Sequence, residues 1–160
     1  MDPESERLSR AELRTWRRFL NGVSGLFLAL DRDLRDNSGL SLDDFGLLRP
    51  LWESRDAALT MSELADELGF SPSRTSHAVE RMEAKGWVTR EPSPDDGRAK
   101  LVKLTPAGTE VFREVWPQHA HLVRQLFLAQ MTPEERATLA AVFARVSKAS
   151  RAQPRNTDKP

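Results

Sequence analysis

Between Leu68 and Ser73 the chain carries a helix stop followed at once by a helix start. Gly69 falls just past the apolar face of Leu64, Ala65 and Leu68, where the residue after a helix adopts a left-handed conformation. Ser71 then offers an N-cap and Pro72 a first-turn proline, so a second helix begins two residues later. Upstream, Thr60 and Glu63 have the spacing of a capping box, which opens the first of the two helices. The second helix turns Thr75, Ala78, Val79 and Met82 inward, at steps of three and four. Ser73, Arg74, Ser76, His77, Glu80 and Arg81 are left outside. Hydroxyls, an imidazole and two arginines on an exposed helix are what a recognition helix carries into a DNA major groove.

The segment that follows extends this reading. Gly86 ends the second helix. Trp87-Val88-Thr89-Arg90 and Leu101-Val102-Lys103-Leu104 are β-prone, and the ten residues between them are rich in turn formers. A helix-turn-helix followed by a polar β-hairpin is a winged helix. The expected fold class is therefore mainly α, a winged helix-turn-helix with a small β-hairpin wing and helices at both ends.

Specific residue runs carry a family likeness. They are Met61-Ser62-Glu63-Leu64-Ala65, Ser71-Pro72-Ser73-Arg74-Thr75 and Val79-Glu80-Arg81-Met82-Glu83, with Pro94-x-Asp96-x-Arg98 before Leu104-Thr105-x-x-Gly108. On these the chain resembles the MarR family of bacterial transcriptional regulators, from about Ser9 to Ser150. The resemblance implies a homodimer joined through the N- and C-terminal helices, with a winged helix from each copy reading a pseudo-palindromic operator, most often to repress. It implies DNA contact by Ser71, Ser73, Arg74, Ser76, His77 and Arg81. It also places Arg98 at the tip of the wing in the minor groove, held there by Asp96. Gly97 and Ala99 stand where many relatives carry another arginine or a bulkier polar residue, which makes this wing contact thinner. Arg90 and Lys100 are equally suited to phosphate contact and to solvent.

Charge argues less simply. The 160-residue chain has a formal net charge of +0, and from Leu59 to Leu104 seven bases stand against eight acids, a balance of −1. A winged helix that binds protein rather than DNA is the alternative which that balance favours. Direct base contact must otherwise outweigh bulk charge.

The flanking segments are helical and more apolar than one copy needs. Residues 1–8 read as a flexible tail and 151–160 as a disordered one, with a single winged-helix domain over 9–150. Within it, 9–36 and 105–150 are dimerisation helices and 41–104 the DNA-binding part. Ser9 and Glu12 cap a long helix whose Leu13, Trp16, Leu20, Val23, Phe27, Leu30 and Leu34 form a heptad-like seam. Ser41 with Asp43 and Asp44 starts the next, with Phe45, Leu48 and Trp52 on one face and Pro50 as a point of kinking. Thr105-Pro106 opens a helix carrying Phe112, Val115, His119, Leu122, Leu126 and Ala129, which Pro117 is expected to bend. Thr132-Pro133-Glu134-Glu135 opens the last helix, with Leu139, Val142, Phe143 and Val146 on one side.

Relatives in the family often bind small aromatic or anionic effectors between the dimer helices and the winged helix. Trp16, Phe19, Trp52 and His119 are the candidates here, with Phe45 beside them and Arg17 or Arg49 as a polar partner, although aromatic residues at helical spacing are commonly core. No enzymatic constellation is present: His119 and His121 lie two apart on different helix faces, and there is no phosphate loop or nucleophile motif. No cofactor or metal is expected. Zero cysteines exclude thiolate metal sites and thiol sensing, unlike the peroxide-sensing branch of the family. No apolar run of membrane-spanning length and no export signal is found, so the expected location is the cytoplasm.

Overall fold

The computed structural model describes residues 7–92 and 100–152. The chain divides into two compact units, Met1–Ala120 and His121–Pro160. In the first, helix α1 spans Arg10–Ser38, α2 Leu42–Glu53, strand β1 Ala58–Thr60, α3 Met61–Leu68, α4 Pro72–Ala84, β2 Val88–Pro92 and β3 Lys100–Leu104. Helix α5, Pro106–Leu126, runs from the first unit into the second, which also holds a 3-10 turn at Leu128–Gln130 and helix α6, Pro133–Ala152.

Each helix begins where a local cap dictates. The hydroxyls of Ser9, Ser41 and Thr60 accept from the amides of Glu12, Asp44 and Glu63, and each of those carboxylates accepts in return from the amide of the cap. Ser71 caps α4 by accepting from Arg74 N at 3.3 Å. Gly39, Gly69 and Gly86 all take positive φ just past helices, the conformation glycine adopts without penalty. Helix α2 continues through Pro50 and α5 through Pro117, each losing a hydrogen bond but not its continuity. Ala129, expected on the α5 seam, lies instead in the 3-10 turn.

The sheet has three strands in the order β1-β3-β2, all antiparallel. The expected hairpin is present as β2 and β3, and β1 adds a third strand to it. Ala58–Thr60 pairs with Leu101–Lys103 along the free edge of β3, Leu59 facing Val102, and so joins the start of α3 to the wing strands. The strand is too short to show an alternating pattern in sequence.

The core lies under α2. Leu47, Leu48 and Leu51 are fully buried, and α2 packs against α1, α3, α4, β1 and β3. Leu64, Val79 and Met82, at inward positions of α3 and α4, join the cluster with Val102 of β3 and Phe112 of α5.

One close approach fixes the wing to α5. Thr105 N donates to Trp87 O at 3.0 Å, and Thr105 Oγ1 donates to Gly86 O at 2.8 Å while accepting from Gly108 N at 3.0 Å. A Cβ at Gly108 would lie 2.1 Å from Trp87 O. Gly108→Ala must push backbone from backbone, and is expected to cost roughly 1–3 kcal/mol or more. Urea titration checks this: the midpoint should fall at unchanged slope, and an unmoved midpoint would show the approach to be slack.

The apolar seams are only partly covered in the single chain. Leu30 and Leu34 of α1 are buried, whereas Trp16, Phe19, Leu20, Phe27 and Leu28 are exposed. In the second unit α6 is opened by a Thr132–Glu135 capping box, yet Val142, Phe143 and Val146 are exposed. Among the described residues no helix is long and apolar enough to cross a membrane.

Candidate nucleic-acid interface

Helix α4 is amphipathic in the sense the site needs. Thr75, Ala78, Val79 and Met82 are buried and hold the helix against the core. Ser71, Ser73, Arg74, His77 and Arg81 are exposed, and Ser76 is half-buried. The structure thus brings six expected contact residues onto one surface of one helix. The wing pair, Asp96 and Arg98, lies outside the described residues.

Polar contacts organise that surface. Glu80 accepts from Ser76 Oγ at 3.2 Å and lies 3.3 Å from His77 Nδ1. Arg74 stacks its guanidinium 3.7 Å above the ring centre of Phe70 and donates to Asp43 Oδ2 at 2.9 Å. Lys85 Nζ donates to Asp44 Oδ2 at 3.0 Å, and Arg81 stands 3.6 Å from Asp44 Oδ1. Farther along, Arg90 on β2 pairs with Glu83, which raises the guanidinium pKa through that hydrogen bond. Lys103 pairs with Glu91 at 2.6 Å.

Asp43 and Asp44 of α2 are the residues sequence reasoning missed as parts of this surface. Their partners on α4 lie 31 and 41 positions away, so no local spacing links them. Asp44 is buried, and that burial pushes its pKa up. Lys85 and the Ser41 cap more than offset this and leave it below its ordinary value. A depressed carboxylate contributes stability that is present above its unfolded pKa and lost as pH falls through its folded value. Asp44→Asn should therefore be less stable than the parent at neutral pH. The gap should close in acid, which denaturation at two pH values reads directly; a gap independent of pH would mean that the charge contributes nothing.

Within the single chain the four aromatic effector candidates fall in two places. Trp16 and Phe19 stack on each other, centres 5.5 Å apart, on the exposed part of α1. Trp52 stacks on Phe112 at 5.3 Å and carries the Arg113 guanidinium over its ring, and His119 is buried against Phe45, centres 4.1 Å apart. Burial lowers the His119 pKa, and its Nδ1 has no hydrogen-bond partner among the described residues. Trp52 and His119 are thus parts of a ring cluster around Phe45 and Phe112. A cleft of 820 Å³ lies elsewhere, between α1, α2 and α4, lined by Phe27, Leu28, Arg35, Asp44, Arg81 and Lys85 among others. Only contact across elements reveals it.

Residues 38–99 match the model of the MarR family. Over 97% of this chain and 98% of the other, the fold superposes with TM-score 0.88 and 35% identity on Sco3205 of Streptomyces coelicolor, a MarR family transcriptional regulator solved in complex with DNA. The chain belongs to the MarR family. Among curated members it is 30% identical over 131 residues to the transcriptional regulator PecS of Dickeya dadantii, covering 79% of this chain and 78% of PecS. It is 31% identical over 97 residues to the transcriptional repressor MprA of Escherichia coli, 61% of this chain but only 55% of MprA. The chain thus spans about half the length of that relative. The matched family segment begins at Ser38, at the end of α1, so it contains α2 to α4 and both carboxylates that reach the recognition helix.

Proposed function

We propose that this MarR-family chain is a sequence-specific double-stranded DNA-binding regulator that acts as a homodimer on a pseudo-palindromic operator and represses transcription. The observation that carries the reading is α4 itself. Its buried face seats it in a fold shared with a relative solved on DNA, and its exposed face collects Ser71, Ser73, Arg74, Ser76, His77 and Arg81. Two such helices, about one DNA turn or ~34 Å apart, enter successive major grooves. Hydroxyls and His77 meet phosphate and base edges, and Arg74 reads a guanine. Arg98, positioned by Asp96, follows the flanking minor groove. The work is done in the cytoplasm.

Replacing Arg74 with Ala should cost ~1–3 kcal/mol on the operator and relax the preference at one symmetric base position. Binding isotherms on the operator and on variants of that base pair test it. Equal losses on every variant would mean that Arg74 contacts phosphate instead.

The charge pairing favours one other reading, a winged helix that docks on protein. A salt-dependent shift of duplex DNA excludes it, and salt-independent capture of a protein partner supports it.

The effector reading moves to the cleft between α1, α2 and α4. Phe27 and Leu28 supply apolar walls for a planar aromatic ligand, and Arg35, Arg81 and Lys85, each paired with an aspartate that also lines the cleft, supply polar groups. Arg81 and Lys85 belong to the α4 segment, so an occupant would change operator affinity through its different fit to free and bound spacings.

A further inference from the structure

The recognition surface arrives at DNA with its cations already engaged. Of the seven between Leu59 and Leu104, Arg74, Arg81, Lys85, Arg90 and Lys103 face a carboxylate of the same chain. Four of these contacts hold the fold: the one buried carboxylate of Asp44 ties α2 to the end of α4, and the Glu83 and Glu91 pairs tie β2 to its neighbours. The Arg74–Asp43 pair is different. Its side chains are 57% and 52% exposed, and Asp43 takes no part in the Ser41–Asp44 capping box. Arg74 keeps its place by other means, since its guanidinium lies over the Phe70 ring. The carboxylate occupies a terminal nitrogen of the group that has to read a base.

We propose that Asp43 is an intramolecular competitor for Arg74, an autoinhibitory contact that DNA must displace. A base edge or phosphate that pairs with Arg74 through this terminal nitrogen competes for the N–H that donates to Asp43 at 2.9 Å. An exposed pair is weak enough to be exchanged on each binding event, and strong enough to lower affinity measurably. The negative balance of the winged helix thereby becomes a set-point, keeping the protein from holding DNA as tightly as its arginines alone would.

The inference rests on the DNA-binding reading above. Four proteins test it: the parent, Asp43→Asn, Arg74→Ala and the double variant. Each is titrated at several salt concentrations with a duplex selected by the parent and with an unrelated duplex. Thermal melts of all four verify that the fold is kept. Asp43→Asn should bind the selected duplex about two- to fivefold more tightly, with a salt slope steeper by up to about one unit. The gain should vanish when Arg74 is Ala. Weaker binding by Asp43→Asn would overturn the proposal and make Asp43 a positioning residue. Unchanged binding overturns it as well, and so does a gain that persists without Arg74, which marks general repulsion. If neither the parent nor Asp43→Asn binds any duplex, the DNA-binding reading itself fails and takes the competitor with it.

Discussion

A Val142→Asp, Val146→Asp double variant is expected to sediment as a monomer and to bind its operator about 10²–10⁴-fold more weakly than the parent. The two valines lie one helical turn apart on α6 and are 37% and 49% exposed. No described residue of α6 is buried, so the substitutions remove nothing from the core of the single chain. The exposed Trp16, Leu20 and Phe27 of α1 are likewise uncovered. Apolar surface of that extent fits an interface between permanently associated copies, and the proposed two-fold partner would cover it with the same residues. Placing two carboxylates in such an interface leaves buried charge without partners. DNA affinity falls because a dimer adds its second half-site at a high effective concentration, whereas two monomers must each bind alone. Circular dichroism should show the helices retained, since the Thr132–Glu135 cap that starts α6 is untouched. A double variant that remained dimeric would place the interface elsewhere.

Leu48→Ala is expected to destabilise the protein by ~2–5 kcal/mol. Leu48 is fully buried in the middle of α2, the helix that packs on five neighbouring elements. Truncation leaves a cavity that those neighbours can close only by moving together, which puts the cost toward the upper part of the range. Chemical denaturation gives the value. The effect should reach the DNA surface as well, because α2 carries Asp43 and Asp44, the residues that face Arg74 and Lys85. A loss below about 1 kcal/mol would mean that the core is looser around α2 than its burial indicates.

What the sequence made legible was local. The caps at Ser9, Ser41, Thr60 and Ser71 each involve groups within three residues of one another, and all four form as expected. The inward face of α4 was legible for the same reason: a helical period assigns Thr75, Ala78, Val79 and Met82 to one side whatever the rest of the chain does. What remained hidden depends on contacts between elements. Strand β1 is only Ala58–Thr60 and exists because the free edge of β3 takes it up. Arg74 was expected to face outward and contact DNA, and its engagement by Asp43 follows from a contact between the first turns of α2 and α4. The aromatic effector candidates came from the family resemblance, which does not say how their rings pack within one chain. Trp16 and Phe19 share a turn of α1, and Trp52 and His119 belong to the rings around Phe45 and Phe112.

The central claim is that two copies of the Pro72–Ala84 helix read a two-fold DNA site. Selection from a pool of random duplexes by the purified protein, followed by sequencing of what it retains, tests this most directly. The account predicts an enriched pseudo-palindrome with half-site centres about 10 base pairs apart, A·T-rich flanks where the wings reach, and two chains bound per site. Retained sequences indistinguishable from the input pool, or a single non-repeated motif bound by one chain, would contradict it.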